Sequence, residues 1–318
     1  MYRRVLVTGS LAYDHIMSMP GRFADHILPD KLHILNVSFI METYRQEFGG
    51  TAGNIVWSLG LLGIPSLLVG AVGKDFSLYK KHLSKLKIVD LSGIRVFKNI
   101  STARGFVTTD RDDNQIWGFY EGAMKKSKTL SVKSFLKKGV ILMIAPNDPS
   151  AMLRYVNEAI ETGTPYVFDP AFNIPHFDRR DLANAVSKAK ILVGNDYEIE
   201  LIIRRLKWTR KMLVKKTNMI VTTRGKKGAL IETEGKKFDI PAAQPKNESD
   251  PTGAGDAFRA GFLAGFMRDY SLENCGKMGA VTAVYTVEKY GTQTHLFTKK
   301  EFVKRYKENY PEDARFDF

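Results

Sequence analysis

With 318 residues, 44% of them hydrophobic, the chain can bury a large core and is not intrinsically disordered; one large α/β domain, with or without a small appendage, is expected. The formal charge of +14 is spread over short pairs such as Lys125-Lys126, Arg204-Arg205 and Lys215-Lys216, with no basic tail and no block interleaved with aromatics, which argues against a nucleic-acid partner. There is no apolar stretch long enough for a bilayer and only one cysteine, Cys275, so the expectation is a cytoplasmic protein with no membrane partner and no internal disulfide.

Taken in chain order, Val5-Leu6-Val7-Thr8-Gly9 reads as a buried first strand closed by a glycine, with Asp14 just past its end. Residues 32–48 alternate loosely in polarity and suggest extended structure, and the glycine-rich bend Gly49-Gly50-Thr51-Ala52-Gly53-Asn54 leads into an apolar helix over 55–62. A strand is predicted at 65–72 and a helix at 75–86, with Asp75 near its start. The β-rich runs 104–109 and 115–120 flank the turn formers Asp110-Arg111-Asp112-Asp113-Asn114 and predict a hairpin. From residue 140 the pattern alternates at βαβ spacing: strand 140–145, helix 148–162, strand 165–169, helix 181–188, strand 191–194, helix 198–206. A strand at 219–223, a hairpin over 228–232 and 236–240, packed helices at 255–268 and 272–288, and a last helix at 298–306 complete the reading. A mostly parallel sheet covered by helices follows, and the two β-rich interruptions near 32–48 and 104–120 join most simply as a small projecting sheet, a candidate lid.

The most informative segment is Asp250-Pro251-Thr252-Gly253-Ala254-Gly255-Asp256-Ala257-Phe258, in which two glycines bracket a helix start and an aspartate sits on its first turn. Free amides at a helix N-terminus favour negative charge, so Gly253, Ala254 and Gly255 form a candidate anion hole, and Asp256 beside it is a candidate base for an attacking hydroxyl. Taken alone, the same residues also make a tight loop with a first-turn carboxylate.

This segment closely resembles the C-terminal signature of the ribokinase family, the PfkB-type carbohydrate and nucleoside kinases, and residues 49–54 are similar to that family's N-terminal signature. The resemblance implies a ribokinase-like α/β three-layer sandwich over 1–318 with a β-sheet lid formed by about 12–48 and 98–124. It implies Asp256 as catalytic base, with Gly49, Gly50 and Asn54 contacting the phosphate acceptor. Asp14, which by itself reads first as a loop cap, would hold vicinal hydroxyls of a sugar. Asn195 and Glu198 form the Asn-x-x-Glu element that organises Mg²⁺, held by Glu198 through water, and the ATP phosphates. Thr223, Gly225 and Gly228 match the nucleotide loop. Asp250 resembles part of a monovalent-cation site, with K⁺ the candidate ion. Asp169-Pro170 matches another family element to which no role is assigned. The resemblance also suggests a homodimer paired through the lid.

The acceptor follows from finer detail. Pro251, Arg259 and the hairpin 106–124 resemble prokaryotic adenosine or general nucleoside kinases, and Phe39, Phe106, Trp117 and Phe119 offer apolar rings for a nucleobase, or else simply pack the lid. The expected activity is transfer of the γ-phosphate of ATP to the 5′-hydroxyl of a nucleoside, adenosine first. Alternatives are a sugar kinase of the ribokinase or fructokinase type and a non-catalytic nucleotide-binding protein. The chain lacks a GxxxxGK[ST] phosphate loop, a GxGxxG fingerprint, HExxH and CxxC, and its six histidines show no ligand spacing.

Overall fold

The computed structural model describes residues 2–112 and 114–318. Its first half comprises β1 (Arg4–Thr8), β2 (Ala12–Ser18), β3 (Thr43–Gly49), α1 (Thr51–Leu61), β4 (Ser66–Gly73), α2 (Ser77–Leu83), β5 (Val89–Phe97), β6 (Ala103–Thr109) and β7 (Gln115–Tyr120). The second half alternates more regularly through β8 (Val140–Ile144), α3 (Pro149–Thr162), β9 (Tyr166–Phe168), α4 (Arg179–Lys188), β10 (Ile191–Asn195), α5 (Asp196–Leu206), α6 (Arg210–Lys216) and β11 (Ile220–Thr223). It then closes with β12 (Ala229–Thr233), β13 (Lys236–Ile240), α7 (Ala254–Met267), α8 (Leu272–Val287) and α9 (Lys299–Asn309).

Nine strands form one sheet in the order β13-β12-β11-β10-β9-β8-β1-β4-β5. All pairs from β11 to β5 are parallel, and the hairpin β12-β13 adds an antiparallel edge. Parallel strands buried on both faces are apolar throughout, as β8 (VILMI) shows. Side chains alternate across the sheet, so Val5 and Val7 pack with Ile55, Phe262, Val281 and Phe302, whereas Leu6 packs with Tyr155, Val186 and Ile202. One helical layer is therefore α1, α7, α8 and α9, the other α3, α4, α5 and α6. This is the expected three-layer α/β arrangement. Among the described residues, no helix is long and apolar enough to cross a membrane.

A second sheet, in the order β3-β2-β6-β7, begins where the chain leaves β1 after residues 9–11. Strand β2 pairs antiparallel with β3 and parallel with β6, and β6 pairs antiparallel with β7. Its own buried cluster is only Ala12, Ala103 and Met124, and every residue of β7 is exposed. The hairpin turn is closed by Asp110, whose carboxylate accepts the amides of Asp112 and Asn114 and, from another segment, Phe23. Asp113, also assigned to this turn from the sequence, lies outside the described residues.

Several local expectations change. Asp14 is the third residue of β2, not a loop residue, because β2 pairs on both sides. Within 32–48 only Thr43–Gly49 is strand, and Pro29–Ile34 forms 3-10 turns instead. Asp75 does not start a helix: its carboxylate accepts the Thr102 amide and hydroxyl and pairs with Arg104 at 2.7 Å, which leaves α2 to begin at Ser77. Strand β5 and helix α6 had no clear sequence signal; β5 is a largely solvent-facing edge strand with a register shift, and α6 is short and lysine-rich.

Candidate active site

The turn 250–253 delivers α7 to the C-terminal ends of the parallel strands, where ligands of open α/β sheets bind. Thr252 donates its amide to Asp250 Oδ1 at 2.9 Å, and Gly253 takes φ +79°, a left-handed conformation that starts the helix without a side-chain cap. Among the described residues, no acceptor engages the amides of Gly253 and Gly255, whereas Ala254 donates to Pro251 O at 3.2 Å. The candidate anion hole is thus narrower than the sequence suggested: the turn that brings Gly253 forward folds the Ala254 amide back on itself.

Asp256 is partly buried on the first turn of α7, and its Oδ2 accepts from Asn54 Nδ2 at 2.9 Å. Burial pushes its carboxyl above the usual range, Arg259 and the Asn54 donor pull it back, and the charge of Glu198 adds to the rise. Arg259, one position beyond Phe258, turns to the buried Asp169, 2.5 Å from Nε to Oδ2. Asp169 is pushed up to about 7 by burial, against the pull of Arg259. Asp169, Glu198 and Asp256 therefore gather around one guanidinium.

Asn54 sits in the first turn of α1, whose start is not an anion site: Ser10 already accepts the Thr51 amide through Oγ and the Ala52 amide through its carbonyl. Gly49, just before this helix, serves Asp14 instead. A Cβ on Gly49 would lie 1.9 Å from Asp14 Oδ2, and one on Gly105, opposite Asp14 on β6, 2.7 Å from Oδ1. The carboxylate thus occupies a slot that only two glycines leave open. Burial, with Glu47 and Asp250 nearby, pushes it up to about 6.

Asp14, Ile16, Val107, Trp117, Asp250 and Tyr290 line a cleft of about 540 Å³ between the small sheet and the body. A second cleft, of about 260 Å³, is lined by Thr223, Gly225, Gly228, Ala254, Gly255 and Val284. Pro251 belongs to the walls of both. The turn before α7 therefore separates two chambers, and Asp256 follows it on the first turn of α7. Thr223 pairs with Asn195 at the ends of β11 and β10, and Asn195 and Glu198 cap α5 reciprocally: Glu198 N to Asn195 Oδ1 and Asn195 N to Glu198 Oε2, both 2.8 Å.

One proposed substrate contact is misplaced. Phe106 lies on the face of β6 away from Asp14, stacked on His15 with ring centres 4.8 Å apart, because Gly105 and Val107 take the inward positions of the strand. Phe119 shares the register of Gly105 and so the inward face, and Trp117, opposite Val107, lines the larger cleft. Phe39 packs edge-on against Phe23 near the tip of the small sheet.

The sequence profile of the pfkB family carbohydrate kinases matches residues 7–299. The chain belongs to this family. A PfkB kinase is a phosphotransferase with an alcohol acceptor, and the chain has the ribokinase-like α/β fold with a large mostly parallel sheet and a smaller separate one. It is similar to the nucleoside kinase of Methanocaldococcus jannaschii, 32% identical over 304 residues that cover 95% of this chain and 96% of that one. The nucleoside kinase of Methanothermobacter thermautotrophicus is 33% identical, with 96% of each chain covered. The structure of Burkholderia thailandensis nucleoside kinase in complex with inosine superposes with a TM-score of 0.87 at 32% identity, covering 96% of this PfkB kinase and 98% of that chain.

Sequence reasoning missed the layer behind these residues. Gly105 beside Asp14, and Tyr79, Thr292 and Gln293 behind Asn54, carry no local motif, and although Asp169 and Arg259 were each singled out, nothing local shows that they pair. Arg45, stacked 4.9 Å over Tyr290 in the wall of the larger cleft, likewise had no signal.

Proposed function

We propose that this PfkB kinase transfers the γ-phosphate of ATP to the 5′-hydroxyl of a nucleoside, with a purine nucleoside such as adenosine as acceptor. The observation that carries the reading is the shared wall: Pro251 lies between the two clefts, and the free amides of Gly253 and Gly255 and then Asp256 follow it at the start of α7. The Thr223–Gly228 side takes ATP, with Asn195 and Glu198 beside it; the Asp14 side takes the nucleoside. Asp14 accepts hydroxyl hydrogens of the ribose, and Asn54 holds Asp256 from the acceptor side. Trp117, Ile16, Val107 and Phe119 offer the base an apolar wall. The 5′-oxygen attacks the γ-phosphorus, the bond to the β–γ bridging oxygen breaks to release ADP, and the hydroxyl proton passes to Asp256. The two glycine amides meet the charge of the transferred group. Closure of the small sheet over the acceptor, as a lid, excludes water. The nucleoside kinases among the relatives, and the B. thailandensis structure in complex with ADP-inosine at a TM-score of 0.84, support this choice of donor and acceptor.

Glu198, at the start of α5, where Asn195 pairs with Thr223, spends Oε2 on the Asn195 amide and leaves Oε1 open among the described residues, which fits a Mg²⁺ ion retaining most of its waters, with Glu198 as the water-mediated partner. When bound, Mg²⁺ neutralises phosphate charge. The residues fit K⁺ less well: Asp250 already accepts the Thr252 amide at 2.9 Å and the Gly291 amide at 3.4 Å, and no step is assigned to a monovalent ion. A homodimer is proposed through the outward face of the small sheet, where Tyr44, Phe106, Ile116 and Tyr120 are exposed; sedimentation at micromolar concentration decides it.

The test is ADP release from ATP with adenosine, inosine, cytidine, ribose and fructose offered in turn. Nucleosides should be turned over with the higher kcat/KM. Preference for a free sugar would replace the reading by a sugar kinase, and no turnover of any acceptor would revive a non-catalytic nucleotide-binding role.

A further inference from the structure

The carboxylate of Asp256 is held by an amide whose two ends differ, and the residues behind that amide decide which end faces it. Asn54, Thr292, Gln293 and Tyr79 are all buried, with no more than 5% of any of them exposed. Asn54 Oδ1 accepts from Thr292 Oγ1 at 2.7 Å and from Gln293 Nε2 at 2.9 Å, so Asn54 Nδ2 is the end that meets Asp256. Gln293 is itself oriented. Its Nε2 also donates to Tyr79 Oη at 2.6 Å, and Tyr79 spends its only proton on the Gly49 carbonyl at 2.7 Å. A backbone carbonyl can only accept, so the Tyr79 proton goes to Gly49 and the two Gln293 amide protons go to Tyr79 and Asn54; Thr292 shares its one proton between Asn54 Oδ1 and the Phe48 carbonyl, 2.9 Å away, so Gln293 is the donor that decides the orientation of Asn54. Reversing Asn54 would set carbonyl oxygen against carboxylate on one side and amide hydrogens against the Gln293 donor on the other.

We propose that Gln293, supported by Tyr79 and Thr292, is a positioning residue that fixes Asn54 as a donor to Asp256 Oδ2 and leaves Oδ1 to receive the proton of the acceptor hydroxyl. The proposal rests on the reading of Asp256 as the base. The same row ends on Gly49, whose missing side chain makes room for Asp14, so one buried chain links the base to the residue that holds the acceptor. The Asn54 donor opposes the upward push of burial on Asp256, and a freed Asn54 would let that push prevail.

The test compares Gln293→Met, which keeps the volume and removes the donors, with Tyr79→Phe, which removes only the hydroxyl that orients Gln293. Thermal unfolding identifies the folded variants, and the pH dependence of kcat is the readout that a space-filling role would not move. Gln293→Met should lower kcat about tenfold with the acceptor KM within a few-fold, and move the acid limb of the profile upward by about one pH unit. Tyr79→Phe should change both in the same direction by less, and it carries the test if Gln293→Met does not fold. A folded variant with the wild-type limb and kcat within about twofold overturns the proposal, provided Asp256→Asn is inactive. If Asp256→Asn keeps its turnover, the base assignment fails instead.

Discussion

The two sheets solve opposite problems. In the large one, all five residues of β8 and all eight of β4 are buried, and their positions follow from dry packing against helices on both faces. In the small one, β7 is exposed at every position and the private core is three residues, so its geometry comes from strand register and from leaning on the body. Both contribute to the larger cleft: the body supplies Tyr290, Thr292 and Asp250, the last in the turn that leads to α7 and Asp256, and the small sheet supplies Asp14. Substitutions in the first should therefore read out as stability and those in the second as acceptor affinity, with Asp256 reading out as turnover.

The sharpest break in that contrast is at the start of α7. Asp256→Asn should lower kcat by about a thousandfold or more while ATP affinity, measured by calorimetry, stays near wild type. Leu142→Ala in β8, fully buried, should cost about 2–5 kcal/mol in urea unfolding. If it does not, the body is not the rigid partner described. Asp14→Asn should raise the acceptor KM about ten- to a hundredfold with little change in kcat, since a charged acceptor of hydroxyl hydrogens is lost before the chemical step. Trp117→Ala, half exposed, should leave stability within about 1 kcal/mol and raise the nucleoside KM about tenfold; equal effects on ribose would remove the ring from base recognition. The smallest effect is one of pH. In the proposed complex Asp14, pushed up to about 6, holds hydroxyls most strongly when ionised, so that binding is strongest above this value and weakens as pH falls through it. At about pH 5.5 the acceptor KM should be roughly fourfold higher, with the ATP KM unmoved.

How much could be read in advance follows the range of the interactions involved. The Gly253–Asp256 turn, the Asn195–Glu198 cap and the βαβ alternation are local patterns, each decided within a few residues, and each lies where it was expected; the bend expected over 49–54 is tighter, with Gly49 closing β3 and α1 already begun at Thr51. Asp14 was recognised as a residue of interest but placed in a loop, because the partners that make its segment a strand are β3 and β6, far along the chain. Phe106 and Trp117 looked equivalent on paper. Which of them faces the cleft is decided by the pairing of Gly105 with Asp14, which sets the parity of the whole hairpin.

By itself, then, the sequence determined the class of fold, the existence of a glycine-flanked helix start with a carboxylate on it, and the family to which such a pair belongs, since capping, glycine turns and apolar periodicity are short-range. Only the tertiary structure decided that Pro251 divides two chambers, that Gly49 and Gly105 make the slot for Asp14, that Ala254 withdraws its amide, and that Gln293 stands behind Asn54. Those depend on contacts between residues as much as 239 positions apart, as in the Asn54–Gln293 bond, and such distances leave no periodic trace in a single chain.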